Sequence, residues 1–158
     1  MVVQRALARL RVPHCRRPNG TVEGVDTTVG RALEIVRSAC LPLPEVSERL
    51  SHGAPTFFVR SKKSFVMLWP DGHHQHEFPH LWAAAPPGTQ EELTEVEPDR
   101  FFRPPYVGGR GWIGMRLDRR IDETEIAGIC NEAFCAVAPP KLVQVLRDRR
   151  RRCSVSRL

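Results

Sequence analysis

The sequence has no CxxC pair, no GxSxG, no glycine-rich loop ending in Lys-Ser or Lys-Thr, and no apolar run near the roughly 18 residues that a membrane span needs. Each absence removes a class. Without a long apolar run the chain is not expected to enter a membrane. Without paired cysteines there is no zinc set at the usual spacing. Val107-Gly108-Gly109-Arg110-Gly111 is glycine-rich, but it lacks the phosphate-loop ending and does not open a helix, so it is no nucleotide fingerprint. No serine sits in a nucleophile elbow, and the carboxylate pairs Glu91-Glu92 and Asp122-Glu123 are accounted for by helix starts, where they oppose the positive end of the dipole. The expectation is a protein that is not an enzyme and carries no cofactor.

Tyrosine is scarce too. The single one, Tyr106, falls in the stretch Asp99 to Leu117, together with one of three Trp, four glycines and four arginines. Pro104-Pro105 forbids a continuing helix there and pushes Arg103 toward extended geometry, while the glycines supply backbone freedom. Such a stretch suits a contact surface; a turn packed tightly on a sheet would use the same residues.

The net charge of +6 is not spread over the chain. Residues 1 to 20 hold five arginines and no acid, and residues 147 to 158 hold six arginines against Asp148. Between them stand 13 basic and 17 acidic residues, a net of −4. The basicity therefore belongs to the two ends. Five cysteines, Cys15, Cys40, Cys130, Cys135 and Cys153, make an odd number; three lie in predicted helices among apolar neighbours, where a thiol acts as a small buried hydrophobe. Reduced structural cysteines imply a cytoplasmic protein.

Three parts follow. Residues 1–25 form a basic N-terminal extension expected to be poorly ordered, without the pattern of a secretory signal. Residues 26–146 form one domain, long enough to bury a sizeable core. Residues 147–158 form an Arg-rich tail. Within the domain, Asp26-Thr27-Thr28 caps a helix whose apolar face is Val29, Ala32, Leu33, Val36, Ala39 and Cys40. Glu45 to Leu50 is expected to add a helical turn. Strands are predicted at Thr56–Arg60 and Ser64–Trp69, with Phe57, Val59, Phe65 and Met67 on one face, then at 81–85, near 101–103 and at 112–117. A helix over 90–97 carries a capping box, Thr89 with Glu92, and Asp122 caps a long helix with Ile126, Ile129, Cys130, Ala133, Phe134 and Val137 inward. Short neighbouring strands joined by turns predict an α+β fold: an antiparallel β-sheet of about five strands with helices packed on one face.

With these elements in order, the chain resembles the YjbR/MmcQ-like family of small bacterial proteins. The likeness rests on His-Gly-Ala-Pro-Thr-Phe at 52–57, Leu-Trp-Ala-Ala-Ala-Pro-Pro-Gly at 81–88, Phe-Phe-Arg-Pro-Pro-Tyr-Val-Gly-Gly-Arg-Gly-Trp-Ile-Gly at 101–114 and Ala-Pro-Pro-Lys-Leu at 138–142. It covers about residues 27 to 147. The resemblance implies a frataxin-like (CyaY-like) fold and a DNA-binding label; the Arg-rich ends lie outside it.

The residues support a nucleic-acid reading through Arg103, Tyr106, Arg110 and Trp112 in the central loop and Arg60, Lys62 and Lys63 at the hairpin turn. Guanidinium groups grip phosphate and an exposed ring stacks on a base. The competing reading places Tyr106 and Trp112 in the core and pairs the arginines with Glu95, Glu97 or Asp99. DNA, bound weakly and in a salt-sensitive way, is the expected partner. The alternative is a small-molecule or protein-partner module with a pocket between the sheet and the 101–114 loop. His73, His74, His76, Glu77 and His80 form a metal-like cluster with His74 and His76 on one side of an extended segment, but nothing completes a coordination shell, so no metal is expected.

Overall fold

The structure, a computed structural model, describes residues 28–155 with the exception of His74. The 1–25 extension, the cap residues Asp26 and Thr27, Cys15 and the last three residues of the tail lie outside the described residues. The chain runs α1 (Thr28–Cys40), β1 (Val46–Ser51), β2 (Ala54–Val59), β3 (Lys63–Trp69), β4 (His80–Ala83), α2 (Thr89–Val96), β5 (Phe101–Phe102), a 3-10 turn (Gly108–Arg110), β6 (Ile113–Arg116), α3 (Glu123–Val137) and α4 (Pro140–Val155). The strands form one open antiparallel sheet in the order β1-β2-β3-β4-β6-β5.

Six strands replace the expected five or so, because Val46–Ser51 is the edge strand β1 and not a helical turn. An edge strand is wet on one side and needs no strong apolar alternation, so Ser47, Glu48 and Arg49 gave no strand period. Its pairing is nonetheless complete, from Val46 opposite Val59 to Ser51 opposite Ala54. His52 and Gly53 close that hairpin with φ of 52° and 81°, the two left-handed residues of a type I′ turn. The next hairpin uses Arg60 and Ser61, at φ 53° and 55°, which are costlier residues for the same geometry. Contacts from the β1 side hold them there: Arg60 N donates to the Glu45 carbonyl at 2.9 Å, and Arg49 donates to the Ser61 carbonyl at 3.2 Å.

The predicted faces of the β2–β3 hairpin are also corrected. Phe57 stands opposite Val66 and Thr56 opposite Met67, with the register shifting between Phe57 and Phe58, so Phe57 does not share a face with Met67. A bulge at Phe65 inserts one residue into the alternation. The row Phe57, Val66, Ala83 and Ile113 and the row Leu68, Leu81, Met115 and Phe101 form the buried face under the helices. There α3 lies across β3 and β4, with Phe134 set edge-on to Phe65 at 5.9 Å, and α1 packs along α3. Arg37 of α1 grips Glu48 of β1 with two hydrogen bonds of 2.9 and 2.8 Å.

Helix ends follow local chemistry. The Asp122 carboxylate accepts from Thr124 N at 2.9 Å and Glu125 N at 3.2 Å, as its position before α3 predicts. The capping box at Thr89 does not form: Gly88 takes the cap position at φ 85° and Thr89 is already inside α2. Pro140 opens α4, a position where its missing N–H costs nothing, and the helix continues through the arginines of the tail to Val155. Among the described residues, no helix is long and apolar enough to cross a membrane.

Candidate functional site

The sheet face turned away from the helices carries the unusual chemistry. On β4 the alternation puts His80 and Trp82 on this face, opposite Trp69 and Met67 of β3. Trp69 and Trp82 lie with ring centres 5.0 Å apart, and His80 stands 5.9 Å from Trp82. The 70–79 segment folds back over them. Gly72 has φ 82°, and a Cβ there would sit 2.4 Å from the His76 carbonyl oxygen, so only glycine permits this turn. His73 and His76 exchange backbone hydrogen bonds of 2.8 and 3.1 Å, which lays the His73 ring 3.8 Å from Trp69 and the His76 ring 4.3 Å from Phe102. Arg116 covers Phe78 at 3.9 Å while its guanidinium is held by Asp118, which in turn keeps that carboxyl below its usual range.

His80 is fully buried. Its Nδ1 lies 2.8 Å from the Phe78 carbonyl oxygen, which only accepts, so Nδ1 carries the proton and Nε2 presents a lone pair. Burial, reinforced by His76 and His73, lowers its pKa to about 4. The Nε2 of His80 and the indole N–H groups of Trp69 and Trp82 are all buried without a hydrogen-bond partner among the described residues.

Above this layer runs the 103–111 loop. Gln90 of α2 is buried and donates to the Gly108 carbonyl at 2.8 Å and to the Trp112 carbonyl. At the tip Val107 N reaches back to the Pro105 carbonyl at 2.7 Å, a three-residue turn that forces Tyr106 to φ 63° and leaves it 76% exposed. The Tyr106 ring stands edge-on to His73 at 6.5 Å. The Arg103 stem crosses Gly108, where a Cβ would lie 2.6 Å from its Cγ. Replacing Gln90 with leucine is therefore expected to cost about 2 kcal/mol, the Trp112 carbonyl losing the Gln90 donor and the Gly108 carbonyl keeping only the Gly111 N–H, and to speed hydrogen exchange at Gly108 and Gly111; unchanged exchange there would mean that Gln90 does not hold the loop.

The seven residues read from the sequence as a nucleic-acid surface divide. Arg103, Tyr106 and Arg110 are exposed on one loop. Trp112 is buried in the core, so it cannot stack on a base. Arg60 is exposed but ion-paired with Glu45, while Lys62 and Lys63 are exposed. The strand directions bring both segments to the same end of the sheet, three strand spacings apart, or roughly 14 Å. Glu97 is taken by Arg100, which also grips Glu125. Among the described residues no group of three His, Cys, Asp or Glu is placed to hold a metal; His74 lies outside them. The sequence reading does not find the aromatic layer of Trp69, His80 and Trp82, since its members come from two strands eleven residues apart in the chain; the alternation of His80 with Trp82 is its one sequence signal.

A family model described as YjbR matches residues 41–136. Among solved structures the fold is similar to a crystal structure of the Deinococcus radiodurans protein DR2400, described with the domain DUF419, with a TM-score of 0.57 and 15% identity over 75% of this chain and 86% of that one. At that identity the likeness concerns the fold alone. No curated protein matches the chain.

Proposed function

The chain belongs to the YjbR family, and from that premise we propose that it is a cytoplasmic, non-enzymatic DNA-binding protein with a frataxin-like (CyaY-like) arrangement of its sheet and helices. The observation that carries the DNA reading is the 103–111 loop: Tyr106, 76% exposed on left-handed backbone, is flanked by the exposed Arg103 and Arg110. Strain kept at an exposed aromatic between two cations fits a ligand contact better than a packing role. The guanidinium groups hold phosphates and the phenol ring rests against sugar or base. Lys62 and Lys63 extend the footprint across the same end of the sheet. The helical α4 supports it with the exposed Arg147, Arg149, Arg151 and Arg152 on one ordered element. The free thiols of Cys40, Cys130 and Cys135 support a reducing compartment.

The test is fluorescence anisotropy of the full chain with a labelled duplex between 20 and 200 mM salt. Replacing both Arg103 and Arg110 with alanine is expected to weaken binding about tenfold at low salt and to flatten the dependence of log K on log salt by about 2, two phosphate contacts being lost. Tyr106→Ala is expected to weaken binding without changing the slope. If the wild-type chain does not bind duplex at the lowest salt, the reading fails. If only an alanine variant of Arg147, Arg149, Arg151 and Arg152 loses binding, the contact belongs to α4 and not to the loop.

A further inference from the structure

Three polar atoms in one aromatic layer, the indole N–H groups of Trp69 and Trp82 and the Nε2 lone pair of His80, are buried without a partner among the described residues. All three side chains are more than nine-tenths buried, at 5%, 3% and 0% exposure. A buried donor or acceptor left unmatched costs about 1 to 3 kcal/mol, and native proteins hold few of them, so three among touching rings point to polar groups kept for recognition. Their chemistry is specific. The indoles donate, and His80, whose other nitrogen is turned to the Phe78 carbonyl, accepts. Two donors and one acceptor complement an edge that presents two carbonyls and one N–H.

We propose that Trp69, His80 and Trp82 form a binding site for an imide-edged pyrimidine, the edge shared by thymine and uracil, entered between the His73 turn and the Tyr106 loop. The cover fits that route. His73 lies on Trp69 at 3.8 Å and against Trp82 at 5.2 Å. Tyr106 flanks His73 from the neighbouring loop. The pyrimidine can arrive as a free nucleoside or as an unpaired base of a strand, and the site holds whether or not the loop binds duplex.

The experiment follows the indole N–H resonances of the ¹⁵N-labelled full chain as thymidine is added, with N3-methylthymidine as control. Thymidine is expected to shift the Trp69 and Trp82 signals saturably, with a dissociation constant on the order of 0.1 to 1 mM. N3-methylthymidine, which has no N–H for His80, is expected to bind at least tenfold more weakly. Trp82→Phe and His80→Phe are expected to reduce thymidine affinity by a similar factor; should these variants fail to fold, the methylated control on the wild-type chain decides. A hairpin oligonucleotide with one unpaired thymine, compared with its fully paired form, separates the two sources of the base. No saturable shift, or equal binding of thymidine and its methylated form, overturns the proposal. Thymidine binding without any duplex binding would overturn the DNA reading alone.

Discussion

Replacing Phe134 with alanine is expected to lower the unfolding free energy by about 4 kcal/mol, the upper part of the range for emptying a buried phenylalanine site. Phe134 is fully buried and sits edge-on to Phe65 at 5.9 Å, so the substitution removes the joint between α3 and the sheet. The cavity opens between rigid elements and cannot collapse cheaply. Urea unfolding followed by circular dichroism measures it. The counterpart is Leu50→Ala on the edge strand: Leu50 is 73% exposed, and its loss is expected to stay within about 0.5 kcal/mol. A loss below about 1.5 kcal/mol for Phe134→Ala would mean that α3 does not pack on the sheet in this way.

Acid is expected to remove about 3 kcal/mol of stability between about pH 6.5 and pH 4 through His80. His80 has a folded pKa of about 4 against an ordinary 6.5, because burial disfavours its charged form. The depressed value means that the unfolded chain takes up the proton more readily. The contribution is fully present above pH 6.5, declines as pH falls through that value, and is lost by pH 4, a span of about 2.5 units at about 1.4 kcal/mol each. Asp118, held low by Arg116, acts in a separate and lower window: its contribution is present above its ordinary pKa and declines only as pH falls below it. Denaturant midpoints measured from pH 7.5 to 4 should therefore fall steadily, and His80→Phe should flatten that limb while leaving the decline below pH 4. A wild-type stability that is level between pH 6.5 and 4.5 would show that His80 is protonated in the folded state at little cost.

Both predictions lie where sequence and structure met unevenly. The inward stripe of α3 was legible because 3.6-residue periodicity is a local property, and Ile126, Ile129, Cys130, Ala133 and Phe134 are all buried. Asp122 was legible for the same reason, a cap being read within three residues. The helical turn expected over Glu45 to Leu50 is a strand instead, because an edge strand lacks the apolar alternation that marks an interior one. The hairpin faces were misread because a single bulged residue reverses every side chain beyond it. Arg60 and Tyr106 hold left-handed backbone that neither residue type announces.

At the candidate site the division is sharper. The composition of the 101–114 segment marked it as unusual and carried the family resemblance, and its exposed tip, Tyr106 with Arg103 and Arg110, stands where the loop reading put it. Trp112 went the other way, into the core. The histidine run looks like a metal cluster in one dimension; in three, the His73 ring packs against Trp69 and the His76 ring against Phe102.

By itself the sequence determined the α+β class, the distribution of charge toward the ends, the helix stripes and the family, since each depends on residues near one another along the chain or on composition. The tertiary structure alone decided that Trp69, His80 and Trp82 share one face with three unmatched polar atoms, and which of the arginines remain exposed. Strand register and loop closure bring those groups together, and both depend on contacts between residues far apart in sequence.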